Sequence, residues 1–175
     1  MFPQTIQIRS ARPGDYKLLS DIGTRTLWQS HGHSAPETDM RSYIEQSFNP
    51  VRAREELENP AFIYHFLYLD EQPAGYSKII LDQAHPNITL PGVTKLERLY
   101  LLQEFLSRKA GQALLDFNIG LSKDRGQSGM WLFVWVENTR AIQFYKRNRF
   151  KIIGSHDFRI TETRSNPNHQ MMLVY

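Results

Sequence analysis

Trp131-Leu-Phe-Val-Trp-Val136 is an unbroken aromatic and β-branched run, and Glu137-Asn138 ends it abruptly. Such a run favours a strand. Asn138 is a good N-cap residue, so the polar-apolar segment after it is expected to form a helix as far as Asn148. Ala141 and Tyr145 are four apart and share one face of that helix. A strand that turns directly into a capped helix commits the chain to layered α/β packing.

The remaining elements follow from periodicity and punctuation. Thr5 to Arg9 alternates and reads as a first strand. Arg12-Pro-Gly-Asp opens a helix with a Leu18, Leu19, Ile22, Leu27 stripe, and Ser30 to Pro36 reads as a loop. Thr38 to Phe48 is a second helix with Met40, Tyr43, Ile44 and Phe48 on one face; Asn49-Pro breaks it, and Val51 to Glu58 is a short third helix. Phe62–Leu69 and Ala74–Leu81 form a hairpin about the turn Asp70-Glu-Gln-Pro. After the loop Asp82–Gly92, a strand covers Thr94–Leu102 and a helix covers Ser107–Ser122, with Ala110, Ala113, Leu114, Phe117 and Leu121 in helical register. Strands from Phe150 to Phe158 and from Gln170 to Val174 close the chain, separated by the polar loop Thr161–His169. The order predicts one mixed α/β domain over residues 1–175, with the 94–136 segment as a strand–helix–strand crossover.

The 175 residues suffice for a sizeable core. With no cysteine, the chain has no disulfide, thiol nucleophile or Cys-based zinc site. No 18-residue apolar run suggests a membrane span, and Met1-Phe-Pro-Gln-Thr-Ile has no basic-then-apolar leader, so a cytoplasmic location is expected. The net charge of +3 suits either simple solubility or an anionic ligand. Lys146-Arg147-Asn148-Arg149 is the densest basic cluster; it equally fits the negative end of a helix dipole. Without long basic runs or a recognition motif, a nucleic-acid partner is not expected. His31-Gly-His33 lacks a third ligand, so no metal site is expected.

The pattern Asn138-x-x-Ala141-x-x-Phe144-Tyr145, ending in an aromatic turn at Phe150, resembles the second conserved motif of the GNAT N-acetyltransferases. The segment Gln103 to Leu115 resembles their first motif, a strand followed by (Gln/Arg)-x-x-Gly-x-(Gly/Ala) opening a helix. Three positions depart from the pattern. Leu106 replaces the usual Gln or Arg, Lys109 the usual first Gly, and Arg149 the Gly before the final Phe. Lys109 can still offer its N–H if its φ is negative, and Asn148 is expected to take the left-handed position in place of Arg149. Leu96-Glu-Arg-Leu-Tyr-Leu, Gly111-Gln-Ala-Leu-Leu, Arg140-Ala-Ile-Gln-Phe-Tyr, Gly154-Ser-His-Asp-Phe and Gly75-Tyr-Ser-Lys78 are similar to the PaiA-like branch, associated with acetylation of polyamines and other small amines.

The resemblance implies a GNAT fold: a mixed, mostly antiparallel, twisted sheet of about seven strands, a V-shaped splay between the central parallel strands, and helices on both faces. It implies acetyl-CoA as cosubstrate, with the backbone of Leu99, Tyr100 and Leu101 along the pantetheine and Ser107, Arg108, Lys109, Ala110, Gly111 and Gln112 about the pyrophosphate. Asn138, Ala141, Tyr145 and Arg147 complete the implied cofactor contacts. Tyr145 would protonate the departing thiolate, a backbone N–H near Leu101 would stabilise the oxyanion, and Glu97 is the candidate base or substrate-orienting carboxylate. Trp28, Tyr43, Tyr76 and Trp135 are candidates for an aromatic wall around a cationic amine, although such residues more often belong to a core. The implied acceptor is a small polyamine-like amine or a peptide amine, and the family allows a homodimer. A non-catalytic module that binds or has lost CoA stays open because of Leu106, Lys109 and Arg149.

Overall fold

The structure, a computed structural model, describes residues 5–175. Met1 to Gln4, part of the stretch read for a leader, lie outside the described residues. The elements run β1 (Ile6–Ser10), a 3-10 turn (Pro13–Asp15), α1 (Tyr16–His31), α2 (Glu37–Phe48), α3 (Pro50–Glu58), β2 (Ile63–Leu69), β3 (Gln72–Ile80), β4 (Val93–Leu101), a second 3-10 turn (Gln103–Phe105), α4 (Ala110–Asp124), β5 (Gly129–Trp135), α5 (Thr139–Arg147), β6 (Lys151–Arg159) and β7 (Ser165–Val174). The strands form one seven-stranded sheet in the order β1-β2-β3-β4-β5-β7-β6. It is mixed, with β4 parallel to β5 and the pairs β1–β2, β2–β3, β5–β7 and β6–β7 antiparallel. This is the α/β sheet of the GNAT fold. The chain forms two compact units, one of the residues up to Ile79 with Arg98–Asn118, the other of Ile80–Glu97 with Ile119–Tyr175.

In the first unit, helices cover both faces of the strands. Tyr64 and Lys78 are paired across β2 and β3, and both reach Glu56 of α3. Their neighbours His65 and Ser77 point the other way, to Phe117 and Asn118 of α4. The alternation is the period of two that a pleated strand imposes. Leu67, Leu69, Ala74, Ala110 and Leu114 form the core under α4. Gly23 lets α1 lie against Phe48, because a Cβ there would run into the phenyl ring. The β2–β3 turn has two residues, Asp70 and Glu71, both at positive φ, the twist-compatible form for such hairpins. Gln72 and Pro73, expected in the turn, belong to β3. Pro73 sits at a bulge opposite Tyr68, where a missing N–H is tolerated.

In the second unit, Val93–Lys95 pairs with Gly129–Trp131, and that ladder covers three residues although β5 continues to Trp135. β7 bridges β5 and β6. It starts at Ser165, so most of the segment expected to be a polar loop is strand. The reason is an inverted pattern: Asn166, Asn168 and Gln170 are the first buried positions of β7, ahead of Met171 and Met172. Gln170 Oε1 accepts a hydrogen bond from Asn87 Nδ2 at 3.0 Å, which helps satisfy it. A strand that turns amides inward has no hydrophobic alternation to read.

Candidate active site

The start of α4 departs from expectation. The helix begins at Ala110, not Ser107. Ser107 and Lys109 both adopt positive φ, at 66° and 59°. Lys109 therefore adopts a left-handed conformation, the kind glycine holds without strain, and the condition of a negative φ is not met. Its carbonyl accepts the N–H of Ala113 at 3.0 Å, so Lys109 stands at the helix N-cap. The N–H groups of Ala110 and Gly111 then belong to the first helical turn, which has no intrahelical acceptors for them. Arg108 lies with its guanidinium 5.8 Å from the Phe105 ring centre, and Gln112 donates to Asp116 one turn on.

Upstream, Leu99 and Leu101 pack partly buried against the core under α4. Tyr100 points to the opposite face, where its ring lies 6.0 Å from Tyr76 and 6.1 Å from His31. Tyr76 also stacks on Tyr64 and meets Phe48 edge-on. Of the expected aromatic wall, Tyr76 is completely buried and is a core member of this layer. Tyr43 on α2 is close enough for its phenol to add to the upward push that burial and Arg98's opposing charge leave on Tyr76. Trp28 is partly exposed, yet Arg41 already lies over its ring at 5.1 Å. Trp135 is a buried residue of the other unit. His31 extends α1 rather than opening a loop; its Nδ1 is 2.7 Å from the Ser30 hydroxyl. Burial, with a smaller contribution from His33, pushes the His31 imidazole down to about 4, so it is neutral at pH 7.

Beneath this aromatic layer lies a charge cluster that sequence reasoning missed. Glu56 is 4% exposed and its Oε2 accepts from Lys78 Nζ and from the Tyr64 hydroxyl, each at 2.6 Å. Arg98 Nη1 donates to the Tyr64 oxygen at 2.9 Å, and Arg52 reaches Glu56 Oε1 at 3.1 Å. Lys78 Nζ also sits 3.5 Å from the Phe62 ring centre. Burial raises the Glu56 carboxyl, but the bonds from Lys78 and Tyr64 outweigh it and hold the group below its ordinary value. The available signal was Lys78, the one charged residue of β3. Its carboxylate partner Glu56 is 22 residues away, which local pattern reading does not reach.

In the second unit, Asn138 caps α5 as expected, its Oδ1 accepting the Ala141 N–H at 3.2 Å. The far end of α5 corrects the expectation for Asn148. Arg149 is the left-handed residue, at φ 67°, while Asn148 keeps φ −90°. Phe150 N–H bonds to Tyr145 O, and Arg149 N–H to Lys146 O, each at 3.0 Å. This is a Schellman ending, and its usual apolar contact is Phe150 against Tyr145, with rings 5.4 Å apart. Phe144 lies edge-on to the same ring at 5.3 Å. Tyr145 is 8% exposed, and burial raises its phenol above the ordinary value. Arg147 is exposed. Glu97 Oε2 is 2.6 Å from Lys95 Nζ, and Lys95 lies over Trp131 and Phe133, so that carboxylate is already held in an ion pair. Among the described residues no group of three metal-ligating side chains converges, and no helix is long and apolar enough to cross a membrane.

A parallel strand pair in a mixed seven-stranded sheet, followed by an Asn-capped helix with a buried tyrosine, is the arrangement that the acetyltransferase resemblance implies. The acetyltransferase (GNAT) family matches residues 24–150, and the chain belongs to that family. The protein is an N-acetyltransferase-type enzyme. It is similar to an uncharacterized N-acetyltransferase encoded in the pepI 3′ region of Lactobacillus delbrueckii subsp. lactis, 28% identical over 143 residues, covering 82% of this chain and 83% of the relative. An uncharacterized N-acetyltransferase of Mycobacterium bovis is 28% identical over 142 residues, covering 81% and 86%. In fold it is similar to the PaiA N-acetyltransferase of Thermoplasma acidophilum in complex with coenzyme A, with TM-score 0.76 and 21% identity over 98% of this chain and 99% of that one.

Proposed function

We propose that the protein moves the acetyl group of acetyl-CoA to a primary amine on a small molecule, by direct attack of the neutral amine. The observation that carries this reading is the left-handed backbone at Lys109 and Arg149, two positions where the family pattern has glycine. Both adopt positive φ, a conformation glycine holds without strain. An L-residue holds that conformation at a cost of about 1–2 kcal/mol, so the surrounding structure imposes it.

The residues fit coenzyme A. The first-turn N–H groups of Ala110 and Gly111 offer a ready site for pyrophosphate oxygens, with Ser107, Arg108, Lys109 and Gln112 beside them. The Lys109 ammonium supplies the positive charge that Leu106 does not. Leu99, Tyr100 and Leu101 offer backbone groups along the pantetheine, and the Leu101 N–H is the donor for negative charge developing on the acyl oxygen. Asn138 keeps its Nδ2 for the pantetheine, since the cap uses only Oδ1. Ala141 and Arg147 complete the α5 contacts. Bound acetyl-CoA supplies the activated thioester.

Tyr145 then donates its proton to the departing sulfur. Its burial keeps the phenol protonated across the physiological range, as a donor requires, and makes it a weaker acid than free tyrosine, so transfer accompanies bond cleavage. Glu97 orients the incoming ammonium or takes its proton, sharing its carboxylate with Lys95. In the first unit, Trp28 and Tyr43 are the candidate acceptor-side aromatics, and buried Tyr76 belongs to the aromatic layer with Tyr100.

Calorimetric titration of acetyl-CoA, followed by amine-dependent thiol release, tests the reading. Saturable micromolar binding and amine-stimulated release are expected. Binding without release for any primary amine would favour a non-catalytic role.

A further inference from the structure

The buried cluster of the first unit carries one cation too many. Glu56 Oε2 already accepts two bonds of 2.6 Å, from Lys78 and from Tyr64. Arg52, half exposed, is shared between Glu55 at 3.3 Å and Glu56 Oε1 at 3.1 Å. Arg98 has no carboxylate of its own. Its Nη1 lies 4.0 Å from Glu56 Oε2, beyond hydrogen-bond range, and its short contact is to a neutral phenol oxygen. A largely buried cation is costly unless it is paired, and only 18% of this side chain is exposed.

Arg98 is also held in one orientation. The Phe48 ring lies 4.6 Å from its guanidinium carbon, and the Tyr64 oxygen fixes one end of the fork. Nη2 and Nε remain as donors on a rigid, planar group, the arrangement that recognises a carboxylate by two parallel bonds. Tyr100 lies two residues along β4, on the same face of the strand, beside His31 and Tyr76. The residue that needs an anion therefore adjoins the aromatic layer that borders the implied acceptor side.

The geometry points to an acceptor that carries a carboxylate as well as its amine, with Arg98 as the residue that binds the acid group. This rests on the acetyltransferase reading and revises its acceptor. A purely cationic polyamine would meet the surplus charge of Arg98 with like charge.

The test uses three matched pairs that differ only in an α-carboxylate: lysine and cadaverine, ornithine and putrescine, arginine and agmatine. Acetylation of each is measured as kcat/KM, with acetyl-CoA binding titrated alongside. The carboxylate member is expected to be favoured at least ~10-fold, mainly through KM, as removal of a charge-assisted hydrogen bond implies. In Arg98→Gln the ratio should collapse toward one. If that variant fails to fold, the wild-type ratios decide. Equal use or preference for the decarboxylated members would overturn the inference, as would a ratio that survives in folded Arg98→Gln. Acetyl-CoA binding with no amine of the set acetylated would also overturn it while leaving cofactor binding intact. Absence of acetyl-CoA binding would instead bring down the acetyltransferase reading beneath it.

Discussion

Three residues in left-handed conformation carry the most information per atom. Lys109 and Arg149 stand where the resembled family has glycine, and each adopts a left-handed conformation, at φ 59° and 67°. Replacing either by glycine should relieve about 1 kcal/mol of backbone strain, offset in part by the freer unfolded chain. Arg149→Gly is therefore expected to raise the urea midpoint slightly. Lys109→Gly should do the same yet weaken acetyl-CoA several-fold, because the ammonium is lost. A variant that loses both stability and affinity would show that the lysine is not strained. The third, Ser107, was not foreseen: a run without Gly or Asn gives no signal of positive φ. The conformation at these sites is dictated by what the chain does next, a helix start at Ala110 or a β6 start at Lys151, and a single residue type does not reveal it. His31 adds a pH term. Its imidazole is pushed from the ordinary 6.5 down to about 4 by burial, so the fold prefers the neutral form. The sign follows: that stability is fully present above 6.5 and is lost as pH falls toward 4. A melting temperature that drops over this window in wild type, and drops less in His31→Gln, is the expected result.

At the scale of elements, two local rules made much of the fold legible and two non-local ones hid the rest. The cap at Asn138 and the heptad-like stripes of α1 and α2 depend on neighbours within four residues, so α5 and the two early helices were readable from the chain. β7 was half missed because Asn166, Asn168 and Gln170 are buried although polar, and the Asn87 amide that donates to Gln170 Oε1 is 83 residues away. The cluster on α3, β2, β3 and β4 was missed for the same reason. It also makes a stability prediction. Removing Glu56 leaves Lys78 buried without its counter-charge, and such a break typically costs about 3–5 kcal/mol. Glu56→Gln should therefore shift the urea midpoint strongly, whereas Glu56→Leu combined with Lys78→Met should recover much of the loss by replacing the pair with apolar contacts. A near-neutral Glu56→Gln would mean that water already screens the site. The depressed Glu56 carboxyl works in the same direction as His31 but lower: its contribution holds above the ordinary carboxyl value and disappears as pH falls through the folded one.

For the whole molecule, the family and its sheet were recoverable from two motifs, because the crossover from β4 through α4 to β5 and the capped α5 place chemistry by backbone geometry. The acceptor was not, because the residues that would recognise it come from α1, α2, β3 and β4 and meet only in three dimensions. A ligand that binds only the folded chain stabilises it by mass action, by about 2.7 kcal/mol at a hundred times Kd. Acetyl-CoA at that excess should raise the melting temperature by several degrees, and spermidine at equal concentration should do so much less. The most direct test of the central claim is steady-state turnover of Tyr145→Phe, with acetyl-CoA affinity measured on the same preparation. The ring contacts to Phe144 and Phe150 survive that change, so folding and affinity should be retained while kcat falls ~100-fold or more, as loss of a general acid implies. An unchanged kcat would remove Tyr145 from the reaction and leave it as the aromatic anchor of the α5 terminus.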